Sequence, residues 1–173
     1  MVKQIKISNS QKDIMYNNIL LLSRNTIFYT KFDLIDTFQN RIHLIFIHIS
    51  FIFIRIKQND KNKIYKIFYQ EIFDLIFNKI ELNMREIGFG ESTINKNMRF
   101  LVKTFYNILL NCEKYKKMDP YAKNMFFNKY LAQNNINNDN NKDIIEYFNK
   151  YQTFCFDLSP DSVLKGELNF NYK

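Results

Sequence analysis

Residues 65–90 read YKIFYQEIFDLIFNKIELNMREIGFG, and the spacing of the apolar side chains in this stretch decides the fold class. Its apolar residues recur every three or four positions: Tyr65, Phe68, Tyr69, Ile72, Phe73, Ile76, Phe77, Ile80, Met84 and Ile87. This repeat is typical of an α-helix with one buried face. Gly88 stands where a residue with positive φ would end that helix, and Gly90 keeps the next turn tight. The sequence therefore predicts a long amphipathic helix followed by a sharp change of direction.

The segments on either side of this stretch carry the same helical repeat. Candidate helix starts are Ser10 with Asp13, Asp36 with Gln39, Ser92 or Thr93, and Asp119 before Pro120. The fifth helix would place Tyr121, Met125 and Tyr130 on its apolar face, and a sixth would contain residues 144–151. With three Gly and two Pro, the chain has few turn residues for a many-stranded fold. We predict an all-α protein, a single compact domain of about six helices with an irregular C-terminal tail.

The apolar run at 42–54 is the ambiguous segment. Ile47, Ile49, Phe51 and Phe53 stand at alternate positions, as the apolar residues of a strand do. However, about 20 residues without a helix breaker are longer than a typical strand. As a helix the run would span roughly 20 Å, which is less than the ~30 Å hydrocarbon core of a bilayer. Arg41 and Arg55 flank it. We therefore predict a buried helix and no membrane-spanning segment. The first residues contain no apolar stretch of about 7–15 residues followed by a small-residue cleavage site, so we expect no export leader.

Breaks in composition divide the chain into four segments. These are an N-terminal helical extension at 1–27, a helical core at 28–132, an Asn-rich linker at 133–141, and a C-terminal helix with its tail at 142–173. The bias towards Ile, Asn, Lys, Phe and Tyr is typical of an AT-rich genome. Because such a bias acts where selection is weak, we expect Asn and Lys mainly at indifferent surface sites.

The sequence contains no arrangement that is typical of an enzyme or a metal site. His43 and His48 are five positions apart and do not share a helical face, while Cys112 and Cys155 lie far apart in the chain. Cys112 falls on an apolar stripe and is expected to be a small buried residue. Gly88 and Gly90 lack the further Gly and the Lys of phosphate-binding loops. We expect no catalysis, no metal and no cofactor.

The charge of the chain favours an acidic partner. The formal net charge is +8 and the sequence pI is about 9.3, which suits anionic lipid, nucleic acid or a ribosome surface. Between residues 94 and 117, six basic residues accompany a single acid. Lys96, Arg99 and Lys103 are spaced three and four apart on the polar face of the predicted fourth helix. They are either a solvated face or a docking site for an anionic surface.

A polar stripe follows the apolar second helix. Arg41, His48 and Arg55 are seven positions apart, and residues at this spacing drift by only ~20° around a helix, so the three share a face. One interpretation is a partly exposed seam, or buried groups bonded to neighbouring acids. The other interpretation is a binding surface.

Residues 80–91, IELNMREIGFGE, resemble the most diagnostic motif of the ubiquinol–cytochrome c chaperone family. In that family an aromatic-rich helix ends in a similar N-x-R-E-x-G-x-G run, and a basic helix with a Phe-Tyr pair follows, here Phe105-Tyr106. Upstream, Phe28-Tyr29, the run DTFQNR at 36–41 and then His48 are similar to the family's opening signature. The resemblance covers roughly residues 28–115, about half of the chain. The local alternative for this motif is a helix end in which Glu81 and Arg85 pair.

The resemblance implies a non-catalytic assembly chaperone for ubiquinol–cytochrome c reductase, respiratory complex III. Its partner would be newly synthesised cytochrome b, and mitochondrial relatives also work with a small partner protein and with the ribosome. The implied location is the bacterial cytoplasm, peripheral at the inner face of the plasma membrane, with the mitochondrial matrix as the alternative. The candidate partner-binding residues are Arg41, His48, Arg55, Asn83, Arg85 and Glu86, with Lys96, Arg99 and Lys103 for an anionic membrane or ribosome surface and Gly88 and Gly90 as the structural turn.

Two other functions stay open. A basic helical RNA- or ribosome-binding protein would bind RNA with a steep dependence on salt and without any dependence on cytochrome b. A peripheral membrane protein would use the second helix as an interfacial anchor. The second helix is too uniformly apolar for a surface helix, which favours its burial.

Overall fold

A computed structural model describes residues 8–58, 63–134 and 141–172, and within them the chain is helical apart from its connections. Its helices are α1 (Asn9–Ser23), α2 (Ile27–Thr30), α3 (Phe38–Lys57), α4 (Lys63–Glu86), α5 (Glu91–Lys114), α6 (Pro120–Tyr130), α7 (Lys142–Asp157) and α8 (Pro160–Leu164), with a 3-10 turn at Tyr115–Lys117. The predicted all-α class is confirmed. The described helices of eleven residues or more are α1, α3, α4, α5, α6 and α7, which agrees with the predicted number.

The apolar run of the sequence is the central helix of the domain. All of α3 from Ile42 to Ile54 is buried, and α1, α4, α5, α7 and α8 pack around it. A helix that is apolar on every side requires such a surrounding shell. The burial of α3 contradicts the use of this helix as an interfacial membrane anchor. Among the described residues, none of the helices combines the length and the apolar character needed to cross a bilayer.

Two of the predicted helix starts are displaced by one or two residues. The capping box of α1 is formed by Ser8 and Gln11, not by Ser10 and Asp13, because Ser8 has the extended backbone that a cap requires. At α3 the cap is Thr37, whose hydroxyl oxygen accepts from the backbone N–H of Asn40 at 3.1 Å. The side chain of Asp36 is instead bonded to an arginine, described below.

The start of α5 also differs from the prediction, whereas the start of α6 agrees with it. Gly90 is the N-cap of α5 and has an ordinary φ of −69°, so Ser92 and Thr93 lie inside the helix. At α6 the carboxylate of Asp119 accepts from the N–H of Ala122 at 2.7 Å, with proline at the first helical position, as predicted. The apolar face predicted for α6 was partly wrong. Its buried residues are Phe126, Phe127 and Tyr130, while Tyr121 and Met125 are exposed.

The turn after α4 has the predicted backbone. Gly88 has a φ of +95°, the left-handed conformation that favours glycine, and its N–H and that of Phe89 return to the last turn of α4. Gly90 follows in extended conformation. The chain therefore reverses between α4 and α5 within a few residues, which brings the two helices into contact.

The C-terminal segment, predicted to be an irregular tail, contains the short helix α8 and packs on the core. Gly166 has a φ of +74° and lies so close to α1 that a Cβ there would come 2.9 Å from the backbone nitrogen of Met15. The side-chain amide of Asn18 donates to the carbonyl of Gly166 at 2.7 Å. Rings of Phe170 and Tyr172 pack on α7. The tail thus belongs to the same packed unit as α1 and α7.

The predicted division into four segments stays a prediction. The structure places helices from the predicted extension, core and C-terminal segment around α3. Most of the Asn-rich linker, residues 135–140, lies outside the described residues. Its described ends are Gln133, which forms an isolated antiparallel bridge with Leu34, and the buried Asn141.

Candidate functional site

A cleft of about 190 Å³ opens between α1, α3 and α4. Its apolar lining residues are Tyr16, Leu20, Phe38, Ile42, Ile45, Ile76, Ile80 and Ile87. Four polar residues complete the lining: Arg24, Arg41, Asn83 and Glu86. An apolar concavity with a few polar groups is the usual form of a binding site.

The cleft brings together residues from both sequence motifs. Arg41 comes from the signature at the start of α3, while Asn83 and Glu86 come from the motif at the end of α4. The guanidinium of Arg41 makes a two-point contact with Asp36, with Nε to Oδ1 at 2.6 Å and Nη2 to Oδ2 at 2.8 Å. This pairing lowers the pKa of the Asp36 carboxyl below its usual value. Arg41 is therefore held in place beside the cleft rather than left to sample many rotamers.

Ile87 gives the cleft an exposed apolar edge. It was predicted on the buried face of α4, but it lies just beyond the last helical residue, Glu86, and is 60% exposed. Phe89, two residues further on, is 40% exposed. Exposed apolar side chains that lie next to one another can mark an interaction site. The corner between α4 and α5 thus presents apolar surface next to the cleft.

Arg85, although it belongs to the same motif, does not line the cleft. Its guanidinium pairs with Glu81 at 2.8 Å, as predicted, and also with Glu91 across the turn at 3.0 Å. The arginine lowers the pKa of the Glu91 carboxyl through these hydrogen bonds. All three side chains are substantially exposed, so the cluster adds little stability by itself. Its geometric effect is to link the end of α4 to the start of α5.

His48 lies in the core. Its Nδ1–H donates to the carbonyl of Leu44 at 2.7 Å, and its Nε2 accepts from the hydroxyl of Tyr147 at 2.9 Å. Burial lowers the pKa of His48 to about 4, so the ring is neutral at pH 7. The ring also packs edge-on against Phe28. A binding role for His48 would have to act through this packing, since the side chain has no exposed surface.

Arg55, the third residue of the stripe, lies at the other end of α3 and contacts the end of α7. Its Nε donates to the carbonyl of Leu158 at 3.0 Å, just after the end of α7, and its Nη1 donates to Gln58. Arg41, His48 and Arg55 therefore share a helical face but reach three different places: the cleft, the core and the end of α7. Among the residues that the structure describes, Arg41 is the one of the three that is paired with an acid. The binding role of these residues stays a prediction.

Lys96, Arg99 and Lys103 lie exposed along α5, on the side away from the core, in agreement with the predicted polar face. They do not line the cleft between α1, α3 and α4. A shallow depression at the start of α5 contains Lys96 and Arg99. Their role in docking also stays a prediction.

Two residues beside the cleft were not selected from the sequence alone. Tyr16 and Arg24 line it from α1, which the sequence assigned to an N-terminal extension. Asn40 was quoted only as part of the family signature, yet it is 1% exposed and all of its side-chain hydrogen-bonding groups are satisfied. The signal that could have found it is a polar residue in the first turn of an otherwise apolar helix.

Neither of the two cysteines offers an ionised or accessible thiol. Cys112 and Cys155 are free thiols in the core, and burial raises the pKa of both well above the ordinary value, so they are held protonated. In the part of the chain that the structure describes, no three His, Cys, Asp or Glu side chains are grouped to hold a metal ion. The cleft is thus the arrangement to which both sequence motifs lead.

Comparison with protein families supplies the assignment. A family model described as Ubiquinol-cytochrome C chaperone matches residues 30–170. The chain belongs to the ubiquinol–cytochrome c chaperone family. The match extends well beyond the resemblance at 28–115 and takes in α6, α7 and α8. Membership of this chaperone family therefore applies to nearly the whole described fold.

A solved structure shares the fold. The crystal structure of the Cbp3 homolog from Brucella abortus matches with a TM-score of 0.80 and 20% sequence identity, covering 94% of this chain and 91% of that one. At this identity the match shows the common fold of the two chains. No curated protein matches the sequence.

Proposed function

We propose that this chaperone-family protein binds newly synthesised cytochrome b and holds it for assembly into ubiquinol–cytochrome c reductase, respiratory complex III, without catalysing a reaction. The observation that carries the proposal is the cleft between α1, α3 and α4, where two family motifs meet on an apolar surface. Cytochrome b is a client with apolar spans. Before insertion, such a client needs its apolar side chains shielded from water.

The geometry of the cleft suits side chains of a client helix. The buried side chains of Ile42, Ile45 and Ile80 form the aliphatic floor of the cleft, and the exposed Ile87 supplies its accessible apolar edge. Burying apolar area gains about 25 cal/mol per Å², so a contact that covers Ile87 and several client side chains contributes a few kcal/mol. Arg41 and Glu86 at the cleft supply charged groups for the polar ends of a client segment. This combination binds reversibly, as a chaperone requires.

The proposed function includes docking of the protein to an anionic surface. The basic residues Lys96, Arg99 and Lys103 on α5 are exposed and suit an anionic surface of the membrane or ribosome. We place the protein in the bacterial cytoplasm, at the inner face of the plasma membrane, with the mitochondrial matrix as the alternative location. A small partner protein, as implied by the family resemblance, belongs to the same proposal.

Site-specific photo-crosslinking tests the client. A photoreactive amino acid at Ile87 is expected to crosslink newly made cytochrome b during its synthesis, because the side chain is exposed at the cleft. The same amino acid at Tyr121, which is 73% exposed on α6, is the matched control and should give little of this product. Deleting the gene should also lower assembled complex III while total translation continues.

Three results would oppose this function. Crosslinks to many unrelated membrane proteins from Ile87 would indicate a general chaperone, and normal complex III in the deletion strain would contradict a dedicated role. The basic RNA-binding alternative predicts steeply salt-dependent RNA binding and a defect in translation that does not depend on cytochrome b. Ribosome profiles and complex III content, measured in the same strain, separate these possibilities.

A further inference from the structure

The outer side of α5 carries a mixed basic and apolar surface, which we call the α5 outer face. It consists of Lys96, Arg99, Phe100, Lys103, Tyr106, Leu110 and Lys114, all of them exposed. At 3.6 residues per turn these positions fall within a sector of about 120° around the helix axis. From Lys96 to Lys114 the face extends for roughly 27 Å at 1.5 Å per residue.

Among the described residues, no acid is paired with the bases of this face. The two acids of α5, Glu91 and Glu113, lie outside the sector, and each is paired with a base of another helix: Glu91 with Arg85, and Glu113 with Lys57 at 2.8 Å. Within residues 8–58, 63–134 and 141–172, the four bases of the face take part in no ion pair. The face therefore offers four cations to an external anionic partner.

Large apolar side chains lie between these bases. Phe100 is 56% exposed, Tyr106 44% and Leu110 55%. Phe100 and Leu110 lie on the side of α5 opposite to its buried residues, and the ring of Tyr106 also packs against Phe73 of α4. The buried residues of α5 include Ile94, Leu101, Phe105, Ile108 and Cys112. The helix is thus fixed by one face and presents the other to its surroundings.

We infer that the α5 outer face binds the surface of an anionic lipid bilayer. The lysines and the arginine contact lipid phosphates, while Phe100, Tyr106 and Leu110 enter the interfacial layer, where aromatic and aliphatic groups leave water. An RNA partner would satisfy the cations and could stack on the aromatic rings, but it offers nothing to Leu110. The bilayer interface accommodates every side chain of the face. The inference rests on the proposed function only for its purpose, which is to keep the client cleft near the membrane.

Sedimentation of the purified full-length protein with lipid vesicles tests the inference. Wild type is expected to bind vesicles of phosphatidylcholine mixed with phosphatidylglycerol, and not vesicles of phosphatidylcholine alone. The double substitution Lys96→Gln/Lys103→Gln should weaken binding about 30-fold, since each base near an anionic membrane contributes about 1 kcal/mol. Its matched control is Lys142→Gln/Lys165→Gln, which removes two exposed bases elsewhere and should change binding little.

A second pair of variants tests the apolar component. Phe100→Ser/Leu110→Ser should abolish the binding that survives high salt while leaving the electrostatic component at low salt. The control Leu21→Ser/Leu82→Ser removes two leucines that are 72% and 53% exposed on other helices and should behave like wild type. Circular dichroism verifies that each variant retains its helices.

The inference is overturned if anionic vesicles do not bind, if either control loses as much binding as its partner variant, or if the apolar substitutions leave the high-salt component unchanged. If the protein binds a ribosomal RNA fragment through the same bases and does not bind vesicles, the face is assigned to nucleic acid instead. The crosslink from Ile87 to cytochrome b is scored separately. A protein that retains this crosslink but does not bind vesicles refutes the lipid inference and leaves the proposed binding of the client standing.

Discussion

Replacing Asn40 by leucine is predicted to destabilise the domain, although leucine is similar in size and suits the apolar α3. Asn40 is 1% exposed. Its Nδ2 donates to the carbonyls of Ile35 at 2.7 Å and Ala132 at 2.8 Å, and its Oδ1 accepts from the N–H of Ala132 at 2.9 Å. One amide thus joins the segment before α3 to the segment after α6. Leucine can make none of these bonds.

The expected loss follows from the partners that leucine would leave behind. The carbonyl of Ile35 still accepts from Thr37, and that of Ala132 still accepts from Ile35, so both keep one hydrogen bond. The N–H of Ala132 loses its acceptor. Three bonds at about 1 kcal/mol each, with one orphaned donor and some gain from the apolar side chain, give a net loss of roughly 2–4 kcal/mol. For a domain of this size that corresponds to a fall in Tm of roughly 5–15 °C.

Thermal and urea unfolding of Asn40→Leu measure this loss, with the exposed Asn17→Leu on α1 as the control. Asn40→Asp sharpens the test, because its carboxylate can still accept from Ala132 but faces two carbonyls with a negative charge. Burial and these carbonyls raise the pKa of the introduced carboxyl in the folded state. The free energy of unfolding of Asn40→Asp should therefore fall further below that of wild type as the pH rises from 4 to 7. Equal Tm values for Asn40→Leu and Asn17→Leu, or a pH-independent deficit for Asn40→Asp, would refute the reasoning.

Three further predictions concern single residues. Gly88→Ser should cost roughly 1–2 kcal/mol in urea unfolding because φ is +95°, whereas Gly90→Ser, at an N-cap with ordinary φ, should be neutral or slightly stabilising; equal effects would contradict the left-handed turn. Gly166→Ala should lower the Tm, since its Cβ would come 2.9 Å from the backbone of Met15, and an unchanged Tm would show that the tail is not packed on α1. The pKa of His48 is about 4 in the fold and ordinarily 6.5, so the unfolded state binds more protons and stability falls as pH drops below 6.5, by roughly 3 kcal/mol at pH 4. Unfolding of His48→Gln between pH 7 and 4 should show a shallower pH dependence than wild type, and identical slopes would exclude His48 as the source.

Local patterns predicted the helices well. The α4–α5 corner was found because a 3.6-residue repeat and a glycine at a helix end depend on neighbours in the sequence. The predicted N-caps were shifted because residue type alone does not locate a cap. Ser8 and Ser10 are equally good capping residues, and the backbone conformation decides between them. The face of α6 was misjudged because aromatic residues occur all around that helix, so its repeat does not specify one side.

Long-range polar contacts could not be predicted from the sequence. Asn residues were expected at indifferent surface sites, yet Asn40 contacts Ala132 from another part of the chain. Asn141 is likewise 2% exposed, donates to Asn128 at 2.7 Å and accepts from Gln133 at 2.6 Å. Composition describes how often a residue type occurs, and it cannot say which copy is buried. Arg41, Asn83 and Glu86, three of the residues proposed from the motifs, line the cleft, while its wall from α1 depends on tertiary packing.

The signature at the start of α3 places two neighbouring residues in different environments. Successive residues of a helix point about 100° apart, so Asn40 turns into the core while Arg41 lies at the cleft. Under the proposed function, a substitution at Asn40 should lower client binding through lost stability, and one at Arg41 through lost contact. Ile87 avoids the ambiguity because it lines the cleft and is 60% exposed, so little of the core depends on it. Variants at Ile87 and Arg41 are therefore the best test of client binding. A variant at Asn40 measures how much binding is lost through destabilisation alone.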